Sequence, residues 1–91
     1  MALFVVGYDL KTEKGQKRDY GPIEEALEAL DSCHTQASVW YVDRDGTADD
    51  LFAHLKPSLE GIDPLMVVEF DKKPSWRLGK PGTKAWLDAK F

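Results

Sequence analysis

Apolar and polar positions alternate between two periods along this 91-residue chain, and the switches mark out its elements. Leu3 to Tyr8 is a nearly continuous apolar run ended by Asp9, the pattern of a buried strand. Lys11 to Tyr20 has no periodicity, is charged and carries Gly15, so it reads as a loop. Gly21-Pro22 then opens a helix, with proline at the first helical position and Glu24 and Glu25 near the positive end of the helix dipole. Ile23, Ala26, Leu27 and Leu30 form its apolar stripe, and Asp31-Ser32 is expected to end it.

Strand spacing returns in Ser38-Val39-Trp40-Tyr41-Val42, preceded by a shorter strand near His34 to Ala37. Asp45-Gly46 is a turn. Thr47 and Asp50 have the spacing of a capping box, with Asp in place of the usual Glu or Gln. Leu51, Leu55 and Leu59 continue as the stripe of a second helix. Pro57 should kink that helix or end its regular part, and Gly61 is the expected C-terminal cap. Leu65 to Phe70 is a further strong strand. A basic loop follows, then a short helical piece bearing Trp86 and Leu87.

This order fits one α+β domain: a four-stranded antiparallel sheet with two helices on one face, the split βαββαβ (ferredoxin-like) arrangement. Its core would span residues 3–70, with a tail over 71–91. The first strand would be central, between the third and fourth. The sheet's other face then needs a cover, from the tail, a second subunit or both.

Composition narrows the function classes. The chain is 43% hydrophobic and 31% charged, as ordinary globular proteins are. The first apolar run is too short for a membrane span or a signal segment. With a single cysteine, Cys33, no internal disulfide can form, and a cytoplasmic setting is expected. The net charge of −4 argues against a protein that coats nucleic acid non-specifically. Nine of the 12 Lys and Arg residues nevertheless fall in two stretches. One holds Lys11, Lys14, Lys17 and Arg18; the other holds Lys72, Lys73, Arg77, Lys80 and Lys84. Each could touch a phosphate backbone, or could be a solvated loop.

Other chemistry is sparse. Cys33 and His34 are adjacent, so in a strand they face opposite ways and make a poor zinc or nucleophile pair. Trp40, Tyr41, Trp76 and Trp86 could stack bases, but the aromatic-basic strand of ferredoxin-like RNA binders is missing. Packing in the core or at a dimer interface is the better reading for them, and Trp40, Phe70, Trp76 and Trp86 are the interface candidates.

Several segments, taken in order, resemble the SinR-like and CRISPR-associated protein 2 families, with which the VapD-type toxins are related. They are Gly7-Tyr8-Asp9-Leu10, then Cys33-His34 followed by Ala37 to Val42, then Ile62 to Val68, and Trp76 and Trp86-Leu87 in the tail. The resemblance implies the same fold and a homodimer whose last strand or tail often crosses the interface. It also implies a metal-dependent nuclease role for Asp9, the carboxylate after the first strand. Asp63, expected at the same end of the sheet, would be a second ligand for Mg²⁺ or Mn²⁺. The chain departs from DNA-binding relatives in its acidic first helix, which carries Glu24, Glu25 and Glu28. Two readings follow: a small dimer acting on or beside nucleic acid, and a non-catalytic module or inhibitor that binds another protein, for example in phage–host conflict.

Overall fold

Four strands hydrogen-bond in the order β2-β3-β1-β4, every neighbouring pair antiparallel. The computed structural model describes residues 2–10 and 20–91. Among these, the elements run β1 (Leu3–Tyr8), α1 (Gly21–Glu28), β2 (Asp31–Gln36), β3 (Val39–Asp43), α2 (Ala48–Leu55), β4 (Leu65–Phe70) and α3 (Thr83–Lys90). A 3₁₀ turn, Lys56–Ser58, follows α2 directly. The α+β class, the split order and the central first strand agree with the sequence pattern.

Register divides the sheet into two faces. Phe4 lies opposite Val42 and Glu69, and Val6 opposite Trp40 and Val67. Phe4, Val6, Tyr8, Trp40 and Val42 meet Ile23 and Leu27 of α1 and Leu51 and Leu55 of α2 in the main core. Burying this set supplies most of the folding drive, at roughly 1.5–3 kcal/mol per large side chain. The opposite face carries Val5, Cys33, Tyr41 and Phe70, and the tail folds back over its β2–β3 half. There Leu87, Trp76 and Trp86 make a second, smaller cluster with Cys33 and Tyr41. The tail therefore provides part of the cover that the sheet requires.

Three local expectations are corrected. Asp31-Ser32 does not end α1; it opens β2. The helix stops at Glu28, and the Ser32 hydroxyl donates to the Leu27 carbonyl at 2.7 Å, closing the helix end from within the strand. Leu59 is not a further turn of α2. Pro57 has no N–H to continue the α ladder, so the chain tightens into the 3₁₀ turn and becomes extended at Leu59. Gly61 is not a left-handed cap: among the described glycines only Gly46 and Gly82 have positive φ. The turn is closed instead by Asp63, whose carboxylate accepts from the Glu60 N–H at 2.9 Å. The capping box of α2 forms in full, with Thr47 Oγ1 accepting from Asp50 N–H and Asp50 Oδ2 from Thr47 N–H.

Candidate functional site

The sheet has two ends of different character. At one, β1 finishes and β4 begins: the Asp9 N–H donates to the Pro64 carbonyl at 3.2 Å, and the Tyr8 N–H to Ser38 at 3.1 Å. Asp9 is exposed there, with Asp63 on the neighbouring chain segment. The strand order thus brings these two carboxylate residues to one edge of the sheet. Asp63 commits an oxygen to its own turn. Among the described residues, no three side chains of metal-ligating type converge. A Mg²⁺ ion takes one or two carboxylates and completes its shell with water and substrate phosphate, which is the most that this edge of one chain could supply.

The second basic stretch does not make one patch. Lys72 and Lys73 leave the sheet beyond Phe70, at the end marked by Leu3. The loop then runs back, and the Lys80 N–H donates to the Thr35 carbonyl of β2 at 2.8 Å. Thr35 lies towards the end where Gly7, Val39 and Gln36 pair. Two of the expected phosphate contacts are internally neutralised. Lys73 and Lys84 both bind Asp88, the latter at 2.6 Å, and together they hold its carboxyl down to about 2. Lys72, Arg77 and Lys80 are exposed and pair with no carboxylate of the described residues. Lys11, Lys14, Lys17 and Arg18 lie outside the described residues.

The loop from Trp76 to Gly82 is fixed at its base. Thr83 and Thr35 are each 1% exposed, with hydroxyls 3.1 Å apart. The Thr83 hydroxyl also reaches the Lys80 carbonyl at 2.8 Å. That carbonyl only accepts, so Thr83 gives it its proton and the Thr35 hydroxyl supplies the other. Gly79 is pressed against both: a Cβ there would sit 2.9 Å from Thr83 Oγ1 and 3.0 Å from Thr35 Oγ1. Next to this base, Leu78 has φ +56° and is 84% exposed.

The aromatic residues pack in or against the two apolar clusters, the first of the two placements expected for them. Trp40 is 3% exposed in the main core, where its Nε1 donates to the Tyr8 hydroxyl at 3.2 Å and its ring stacks on His34 at 4.1 Å. It belongs to no surface of this chain, because the strand's period puts it with Val42 on the helix side. Burial pushes the Tyr8 phenol above its ordinary value. Trp76, Trp86 and Phe70 pack around the second cluster; Trp86 stacks on Tyr41, and Phe70 on Phe91. His34 Nε2 donates to the Ala37 carbonyl, while Cys33 faces the tail, so that pair is indeed split between faces.

One charged cluster carried no sequence signal. Asp31 and Asp43 are opposite one another on β2 and β3, and Lys90 of α3 reaches both, Asp43 at 2.9 Å. Trp86 Nε1 also donates to Asp31 at 3.0 Å. Lys90 and Trp86 together hold the Asp31 carboxyl below the usual range. These ligands come from the tail, about fifty residues downstream, where local patterning cannot reveal them.

The chain matches no protein-family model and no solved structure. No helix of the described residues is long and apolar enough to cross a membrane.

Proposed function

We propose that the protein is a small dimer of SinR-like type that associates with nucleic acid, contacting the phosphate backbone through the braced loop of residues 76–82. The observation that carries this is the pairing of unengaged charge with a fixed backbone. Arg77 and Lys80 are exposed and without a carboxylate partner among the described residues, on a loop tied to β2 through Lys80 and Thr83. Cations carried on a tied backbone lose less chain freedom on binding, so more of their attraction to phosphate is kept. The acidic helix α1 lies on the other sheet face, which favours contact through one side only. Met66 and Val68, exposed at 55% and 48% on strand β4, are the surface assigned to the second copy.

Hydrolysis is not required for this reading. Should cleavage occur, we assign the Mg²⁺ or Mn²⁺ ion to Asp9, and Asp9→Ala would abolish it. The direct test is binding of labelled single- and double-stranded RNA and DNA across a salt series. Substituting Arg77 and Lys80 by Ala should weaken binding and lower the log–log salt slope by about one per charge removed. Unchanged affinity and slope would remove the loop from the reading.

A second reading, a module that binds another protein, is favoured by a different feature. Phe52, Pro57, Leu59 and Leu65 line a groove of about 420 Å³ below the end of α2, rimmed by Lys56 and Glu60. A groove of that size suits an apolar anchor from a partner chain. Chemical-shift perturbation confined to Phe52 and Leu59 on adding a partner, with none at Arg77, would favour it over the first.

A further inference from the structure

Leu78 is the most exposed of the large apolar side chains among the described residues, and it stands in a left-handed backbone conformation that L-residues rarely adopt. Glycine would avoid both costs at this position. Leu78 joins neither apolar cluster, so nothing within the described fold offsets them. The tip is braced on both sides. Trp76 packs against the second cluster, and Gly79, Lys80 and Thr83 fasten the following residues to β2. An aliphatic side chain is therefore held out in water, on a fixed support, between Arg77 and Lys80.

We propose that Leu78 is a wedge that enters a base step of a nucleic-acid duplex, with Arg77 and Lys80 on the adjoining phosphates. This rests on the nucleic-acid reading above and names how the loop engages its ligand. Proteins that bend duplexes from the minor groove combine such apolar wedges with Arg and Lys, whereas leucine is under-represented among the hot spots of protein interfaces. A wedge works best at steps that unstack easily. The loop should therefore prefer pyrimidine–purine steps, such as TA, to stiff A-tracts.

The test uses the whole chain and two DNA duplexes of about two helical turns. One has a central TA step with 2-aminopurine beside it, and the other has an A-tract. The wild type should bind the TA duplex more tightly and raise the 2-aminopurine fluorescence as the step opens. Leu78→Gly keeps the backbone conformation without strain, so its fold is not at risk. It should bind the TA duplex about tenfold more weakly, lose the fluorescence rise and keep the same salt slope. Leu78→Gly that binds and brightens like the wild type, while Arg77→Ala and Lys80→Ala weaken binding, would overturn the wedge and leave the loop contact standing. A wild type that binds neither duplex, nor any single strand, would overturn the nucleic-acid reading itself and leave Leu78 as an anchor for a protein partner.

Discussion

The hydroxyls of Thr35 and Thr83 lie 3.1 Å apart, fully buried, although 48 residues separate them in the chain. This contact is where the tail is joined to the edge of the sheet. Thr83→Val keeps the shape and removes the hydroxyl, leaving the buried Thr35 hydroxyl short of a partner and the Lys80 carbonyl with only the Thr83 N–H. The expected loss is about 1–3 kcal/mol, from the cost of unsatisfied buried polar groups. Urea unfolding followed by tryptophan fluorescence would measure it, and a midpoint equal to the wild type's would contradict the buried network.

Gly79 gives a second test of the same joint. A methyl group there meets two buried, hydrogen-bonded side chains that have no room to withdraw. Gly79→Ala should cost about 1–3 kcal/mol by overpacking. In a Thr83→Ala background the cost should shrink, because the nearer obstacle is gone. Equal penalties in the two backgrounds would mean that the crowding lies elsewhere.

The attachment of α3 should depend on pH in one direction. Lys73 and Lys84 hold the Asp88 carboxyl at about 2, against its ordinary 3.8, and Lys90 and Trp86 lower that of Asp31. A carboxylate with a lowered folded pKa adds stability that is complete above its unfolded value and is lost as the pH falls towards the folded one. The tail should thus be fully docked above about pH 4 and loosen between there and pH 2. Trp86 fluorescence reports it directly, through the bond to Asp31. Asp31→Asn should flatten the part of the titration due to that site; an unchanged curve would assign the effect to Asp88 alone.

The bond from Trp40 to Tyr8 ties β3 to β1 inside the main core. Tyr8→Phe strands a buried indole N–H at almost constant volume. It should destabilise the fold by about 1–3 kcal/mol. Trp40→Phe in the same chain should make the Tyr8 change nearly neutral, a coupling that a double-mutant cycle by thermal or urea unfolding would detect.

Much of the fold was legible because its signals are local. β1, β3 and β4 are apolar runs, and the capping box of α2 is a four-residue pattern that forms as written. β2 was only half legible. Asp-Ser-Cys-His-Thr-Gln has little apolar content, and its partners Thr83, Trp86 and Lys90 lie some fifty residues on. The candidate site was less legible still. The basic residues were visible, but nothing local tells that Asp88 neutralises Lys73 and Lys84 while Arg77 and Lys80 pair with no carboxylate of the described residues. The conformation of Leu78 is equally silent in sequence, since any residue before a glycine reads as turn. Trp40 was half legible: its strand suggested packing, in the core or at an interface, and only its register with Val6 puts it in the core.

The two rims of the sheet differ in a way that bears on how large an assembly can grow. Along β2 the loop around Gly79 and Lys80 takes up part of the outward side, through the bond to Thr35. Along β4, no hydrogen bond among the described residues does the same. Growth into a fibre by adding strands needs two open rims per molecule, one to receive and one to offer. A sheet with a single open rim stops at the first pairing. The tail that covers one face thus also occupies, along part of β2, a rim that a growing strand assembly would need.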